Sequence, residues 1–345
     1  MPPINDKFDP EKANQLIDEL VALVGNHRCK EWLRQIISTV VKMGAEHDDR
    51  GDYKLMNTTV KELRRAFRIF IPYRETRKVS VFGSSRTPET DPAYHLAKAF
   101  AQKITSQGYM VVSGGGPGIM AAANEGAGRE RSFGINIKLP FEQSANRFIC
   151  DDVKSIHFKY FFTRKLFFIK ESSATVVFPG GFGTLDEGFE SLTLLQTGKC
   201  LPRPIILVEP EGGSYWSHWL NAIELSLSAT GFISTNDSKL IRVTHSADEA
   251  AQMICDFYHV YHSLRYLHKQ TLLKFTAPLP QNLIQYLNDT YSDLLSSGSI
   301  ASADPFPEEI ENDEDTELFR LVFHFDKISF GRLVEMIWDI NAKMK

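Results

Sequence analysis

The 345-residue sequence is short of several things, and each shortage narrows its possible roles. It has only four cysteines, Cys29, Cys150, Cys200 and Cys255, scattered without a CxxC pair. That spacing suits neither a disulfide frame nor a zinc site, and predicts reduced, mostly buried thiols. No metal is therefore expected. No apolar run approaches the length of a membrane span, and the opening MPPINDKFDPEK lacks an apolar signal core. The expectation is a cytoplasmic, soluble chain with no membrane partner. Positive charge is not in excess either: 39 Lys and Arg stand against 43 Asp and Glu, a net charge of −4. Such a balance offers no general attraction for nucleic acid. The ATP-type GxxxxGK[ST] loop is missing as well.

What is present is enough to bury a large core, since 43% of residues are hydrophobic. Residues 1–76 carry helical spacing only, over Ala13–Val24, through Trp32, Ile36, Val40 and Met43, and over Thr59–Phe70. The basic stretch from Lys61 to Lys78 is read as a solvated helix face, with phosphate or acidic-partner contact as the alternative. From Val79 the texture alternates. Strands are expected at Val79–Phe82, Tyr109–Val112, Phe133–Leu139, Ala174–Phe178, Ile205–Val208 and Leu240–Val243. Helices are expected between them at Pro92–Gln107, Ile119–Gly128, Ile156–Lys170, Thr184–Thr197 and Tyr215–Leu227, with Ala247–Tyr258 after the last. This order predicts an α/β fold, a doubly wound Rossmann-like parallel sheet with helices on both faces. The expected division is a helical region at 1–76, a nucleotide-binding domain at 77–260 and a mixed extension at 261–345. In the extension, Asp304–Glu317 reads as an acidic solvated loop, Leu318–Phe325 as a strand and Ile328–Ala342 as a helix.

Three strand-ending loops are fit to meet a phosphorylated ligand. Gly83-Ser84-Ser85 offers hydroxyls and N–H groups. Gly114-Gly115-Gly116-Pro117-Gly118 is a backbone cradle ahead of a helix, with Met120 beside it. Pro179-Gly180-Gly181-Phe182-Gly183-Thr184 is a second cradle, and Glu187 follows one helical turn further in. Glycines let the backbone approach a phosphate, and a helix N-terminus favours its charge. A plainer alternative is that Thr184-Leu-Asp-Glu187 is only a capping box. Gly116-Pro-Gly118-Ile-Met-Ala121 fits the GxGxxA dinucleotide fingerprint. It follows the second strand, however, and the next strand ends Ile137-Lys138-Leu139 without the acidic ribose ligand of NAD enzymes. A monophosphate-sized ligand fits better. In the helix expected over Ile156–Lys170, Lys165 falls within an apolar stripe of phenylalanines, beside Arg164. Either the lysine snorkels to solvent, or the pair reaches a crevice holding an anion and Glu187.

Arg164-Lys165 followed by Pro179-Gly-Gly-Phe-Gly-Thr-Leu-Asp-Glu187 resembles the LOG ("Lonely Guy") family, whose pattern is PGGxGTxxE preceded by an Arg-Lys helix. Gly114-Gly-Gly-Pro-Gly-Ile-Met120 is similar to the family's upstream GGGxxGxM loop. The resemblance covers residues 77–260. It implies hydrolysis of a nucleoside 5′-monophosphate, of AMP or cytokinin-riboside type, to free base and ribose 5-phosphate, without a cofactor. It further implies catalytic roles for Arg164 and Glu187. Phosphate binding falls to Gly180, Gly181, Gly183 and Thr184, and the rest of the pocket to Ser84, Ser85, Gly114, Gly115, Gly116, Gly118, Met120 and Lys165. Asp186 is secondary, being about 100° from Glu187 on an ideal helix. Pro140–Asn146 is a further candidate for ribose or base contact. Homodimers or higher homo-oligomers with interface sites are implied too. A non-catalytic nucleotide-binding regulator and a dinucleotide-dependent oxidoreductase are the rival readings.

Overall fold

Apolar residues alternating along short strands set the architecture, because successive side chains point to opposite faces of a sheet. The computed structural model describes residues 8–25, 28–138, 145–311 and 315–345. The chain forms two compact units, residues 1–62 and 63–345.

The first unit holds α1 (Pro10–Ala22), α2 (Lys30–Glu46) and most of α3 (Arg50–Phe70). Asp9 caps α1 by accepting from the Lys12 N–H, and Pro10 occupies the first helical position, where its missing N–H costs nothing. Arg34 on α2 pairs with Asp18 on α1 at 2.6 Å. The apolar stripe of α2 predicts a buried face, yet Trp32, Ile36 and Val40 are exposed.

The second unit opens with the last turns of α3. It continues through β1 (Lys78–Phe82), α4 (Pro92–Ser106), β2 (Met110–Ser113), α5 (Ile119–Arg131), β3 (Ser132–Ile137), β4 (Ser155–Phe158), α6 (Phe161–Lys170), β5 (Ala174–Val177) and α7 (Phe182–Gln196). Then come β6 (Ile205–Val208), α8 (Tyr215–Ile223), β7 (Ile241–Thr244) and α9 (Ala247–Phe257). The seven strands form one parallel sheet in the order β4-β3-β2-β1-β5-β6-β7. Val79, Val81, Ala174, Val176, Ile206 and Val208 face α4, α5 and α9. Their neighbours Phe82, Val177 and Leu207 face the other way, onto Phe70 of α3, Phe167 of α6 and Trp216 of α8. This is the doubly wound α/β sheet that the alternation predicts.

One boundary differs. The run from Ile156 to Phe158 is a strand rather than the start of a helix, and it pairs with β3 from Gly134↔Ser155 to Ile137↔Phe158. Its aromatic and β-branched residues suit a pleated edge, and the helix starts only after Tyr160.

Beyond α9 lies a second sheet. It is built from β8 (Tyr261–Leu267) and β9 (Gln270–Phe275), then, after α10 (Gln281–Thr290), from β10 (Leu295–Ala303). The short α11 (Pro307–Glu311), β11 (Phe319–Phe325) and α12 (Phe330–Lys343) complete it. The strands are antiparallel in the order β10-β11-β9-β8. Leu273, Phe275, Leu321 and Phe323 share a core with α10, α12 and Leu195 of α7. The expected β11 and closing helix are present; β8, β9, α10 and β10 escape sequence reading. The acidic stretch is not a solvated loop throughout either. It holds α11, where Glu309 is fully buried between Arg320 (2.9 Å) and Lys274 (2.8 Å).

None of the four cysteines is joined in a disulfide among the described residues, and none is buried as expected: Cys29 is exposed and the others are half-buried. Among the described residues no helix is long and apolar enough to cross a membrane, and no group of three or more His, Cys, Asp or Glu is placed to hold a metal ion.

Candidate active site

The sheet order reverses between β1 and β5, so the loops leaving these two strands diverge and open a crevice at their carboxyl ends. A cleft of about 790 Å³ lies there. Ser84, Ser85, Gly114, Met120, Arg164, Gly180, Gly181, Gly183, Thr184 and Glu187 all line it. Three strand-end loops therefore converge, although up to 100 residues of chain separate their motifs.

The loops are locked to one another through backbone atoms. The Ser84 N–H donates to the Pro179 carbonyl (3.0 Å), and the Ile119 N–H donates to the Ser84 carbonyl (3.0 Å). Two glycines make this approach possible. A Cβ on Gly180 would sit 2.2 Å from Thr184 Oγ1 and 2.9 Å from the Ser84 nitrogen. Gly118 has φ +67°, in the left-handed region, and a Cβ there would lie 2.2 Å from the Ser84 carbonyl oxygen. Gly118→Ala is accordingly expected to part the β1 and β2 loops, lowering Tm by several degrees and weakening ligand binding in the cleft. The strain alone is about 1–3 kcal/mol, and thermal melting alongside phosphate-ligand titration checks the outcome. Gly181 and Gly183 differ, for each would point a Cβ into open space.

Helix α7 starts at this loop, and the structure replaces the capping-box reading. Gly181 is the N-cap and Thr184 already lies within the helix. The first i→i−4 bond runs from the Leu185 N–H to the Gly181 carbonyl, so the N–H groups of Phe182 and Gly183 precede the ladder. With the helix dipole behind them, they form an anion-receptive end facing the cleft. Tyr215, on α8, donates its hydroxyl to the Gly180 carbonyl at 2.5 Å and braces the loop from the far side.

Glu187 is 5% exposed and reaches across to α6, where Arg164 Nη2 lies 3.0 Å from its Oε1. Burial raises the Glu187 carboxyl above its ordinary range, against the pull of Arg164 and Lys165. Burial likewise lowers the Arg164 guanidinium, with Glu187 opposing. Arg164 rests on the Phe161 and Phe168 rings, its carbon 4.9 and 5.6 Å from their centroids, and its Nε is buried without a hydrogen-bond partner among the described residues. One arm of the guanidinium, Nη2, is thus spent on Glu187.

Lys165 does not line the cleft. Its head group turns neither to open solvent nor into the cleft; its ammonium lies 2.8 Å from Asp186 and 2.7 Å from Glu190, and 3.7 Å from Glu187. Burial alone would lower it, but the hydrogen bonds it donates to Asp186 and Glu190 raise it. Asp186, offset from Glu187 on the helix, holds this lysine in place. Gly115 and Gly116 stand behind the lining, packed on Asn136 and Met120. Asn146 donates to the Gly116 carbonyl at 3.0 Å, while residues 140–144 of the candidate ribose loop lie outside the described residues. Sequence reading missed the aromatic wall of Phe168, Tyr215 and Trp219, and Arg86 at the rim. Arg86 directly follows the first loop and was the one of these with a local signal.

Residues 119–254 match the family described as "Possible lysine decarboxylase". Cytokinin riboside 5′-monophosphate phosphoribohydrolase LOG1 of Arabidopsis thaliana is 26% identical over 184 residues, 52% of this chain and 84% of that protein. LOG4 of the same plant is 32% identical over 94 residues, 27% of this chain and 42% of that protein. Among solved structures, the molybdenum cofactor binding protein of Rippkaea orientalis is 20% identical, covering 53% of this chain and 98% of that one, with a TM-score of 0.37.

Proposed function

This chain belongs to the LOG family, and from that premise we propose that it hydrolyses the N-glycosidic bond of a nucleoside 5′-monophosphate, of AMP or cytokinin-riboside type. The observation that carries the reading is the buried Arg164–Glu187 pair, 3.0 Å apart, in a cleft bounded by glycine loops at the sheet's reversal point.

In this reading the 5′-phosphate sits on the N-terminus of α7, against Gly181, Gly183 and Thr184. The anomeric carbon then faces Glu187. As the bond to the base breaks, positive charge builds on the ribose, and a carboxylate beside it stabilises that charge. Water bonds to the anomeric carbon and loses a proton, while the base departs with the bonding pair and gains one. A carboxyl whose pKa burial has raised takes up a proton more readily than an ordinary carboxylate, which suits it to relaying one here. Arg164 holds the substrate and keeps Glu187 oriented. Ser84, Ser85, Gly114 and Met120 complete the pocket, with Gly115, Gly116 and Gly118 shaping it from behind. Lys165 fixes the acidic face of α7 rather than touching substrate. No cofactor enters this scheme.

The assembled form in this reading is a homodimer with the cleft at its interface. Phe182, 93% exposed on the phosphate loop, supplies apolar surface for it. Light scattering is expected to report twice the 39.1 kDa chain mass.

The test is free-base release from a panel of nucleoside 5′-monophosphates, AMP and isopentenyl-AMP included, scored by chromatography. Release establishes the reaction and ranks the bases. A folded protein that binds a monophosphate and releases no base would instead be a nucleotide-responsive regulator.

A further inference from the structure

A second cleft, of about 510 Å³, opens at the opposite edge of the parallel sheet, by the amino ends of β1 and β5. Lys78 and Ser172 form its floor, and His262 and Ser263 of β8 form one wall. Arg74, Arg77, Lys78, Lys170 and Arg203 line it against only Glu75 and Glu171, five cations to two carboxylates and a surplus of three. Lys170 is matched by Glu171 at 2.6 Å.

Two of these cations are buried without a counter-ion. Lys78 is 2% exposed, and among the described residues its ammonium donates only to the carbonyls of Tyr73 (2.6 Å) and Thr76 (2.9 Å). Arg203 is 6% exposed and donates to the carbonyls of Ile169 and Leu201. Neither forms an ion pair among the described residues, whereas buried charges are ordinarily paired. Burial lowers the Lys78 ammonium; the nearby Glu171 carboxylate opposes that, and the charge of Lys170 lowers it further. Arg77 is held flat, 3.8 Å over the Tyr258 ring, with one arm donating to the His262 carbonyl. The fold therefore keeps fixed positive charge around an open cleft and provides too few acids to match it.

We propose that this cleft binds an oligophosphate anion, a diphosphate or triphosphate group, with Lys78, Arg77 and Arg203 as fixed donors and Arg74 and Lys170 at the rim. The volume exceeds what a single phosphate fills, and the charge surplus matches a group carrying three or four negative charges. The ligand would join the parallel sheet to the C-terminal extension, since β8 supplies one wall. This site is separate from the candidate active site and does not depend on the reaction proposed there.

Inorganic pyrophosphate and tripolyphosphate are the probes, titrated calorimetrically into the full chain. Arg74→Ala/Lys170→Ala removes two exposed rim cations, so folding is retained. It is expected to weaken binding at least about tenfold, as charge-assisted hydrogen bonds are lost. Thr184→Val, in the other cleft, is expected to leave this binding within twofold. Pyrophosphate is also expected to shield Lys170 of the unmodified protein from acetylation, read by mass spectrometry. Equal affinity in the double variant would overturn the proposal, as would loss of binding only in Thr184→Val. So would citrate binding as tightly as pyrophosphate, or no binding of either probe at millimolar concentration.

Discussion

Glu187→Gln is expected to cut base release from AMP by roughly 10²–10⁴-fold while leaving the protein folded. The amide keeps the shape of the carboxylate and still offers Arg164 an oxygen, so the contact now 3.0 Å long survives in weakened form. What disappears is the negative charge beside the developing cation and the capacity to move a proton. The loss should therefore fall on kcat, with KM changed only a few-fold. Glu187→Ala is a poorer test, since it strands a buried guanidinium at a cost of several kcal/mol. Burial raises the Glu187 carboxyl above its ordinary value of 4.5. With Glu187 acting as carboxylate, activity should fall on acidification through a pH above 4.5, and that limb should vanish in the glutamine variant. A pH–rate profile of both proteins decides it. Full activity in Glu187→Gln would remove the carboxylate from the mechanism.

The largest stability effect is expected far from the cleft. Glu309→Ala should cost about 3–5 kcal/mol, because it leaves Arg320 buried without its carboxylate and Lys274 with only the more exposed Asp315, 3.0 Å away. For a unit of this size that lowers Tm by roughly 10 °C. Burial pushes the Glu309 carboxyl up, but hydrogen bonds from Arg320 and Lys274 outweigh it and bring it down to about 2 from 4.5. The folded state therefore holds this proton more weakly than the unfolded chain does. Its contribution, about 3 kcal/mol, is complete above pH 4.5 and disappears as pH falls towards 2. Glu187 works with the opposite sign: its raised value favours the folded state at low pH, and that contribution is lost as pH rises through the folded value. Chemical denaturation between pH 2 and 7 should show an acid limb in the wild type that flattens in Glu309→Gln. An unchanged limb would assign acid sensitivity elsewhere.

The parallel sheet and the cleft were legible because their signals are local. A β-branched run, a glycine loop and a helix start within 15 residues mark each βα unit, and two such units reveal the site. Partners distant in sequence were not legible. Lys165 looked misplaced in an apolar stripe because its acids, Asp186 and Glu190, lie on another helix. Glu309 looked solvated because Lys274 and Arg320 are brought to it only by the second sheet. The strands of that sheet are weakly marked. β10 reads LSSGSIASA, mostly exposed and poor in branched residues, and β8 mixes serine, histidine and arginine with its apolar positions. At Ile156–Phe158 the aromatic spacing suited a helix and a strand equally, and pairing with β3 decided it.

Helix α7 belongs to two cores at once. Its first turns carry Thr184 and Glu187 at the cleft, whereas Leu195 near its end is buried among residues of the C-terminal extension. Just beyond, Gly198 presses so closely on the Phe330 ring that a Cβ would lie 2.1 Å from it. During synthesis every group of the cleft has left the ribosome before α12 has been made. The nascent chain thus holds a full set of site residues on a helix whose far end still awaits its seat. Domains that emerge early often fold as they appear; here the carboxylate-bearing helix reaches its final packing only after α12 has left the ribosome.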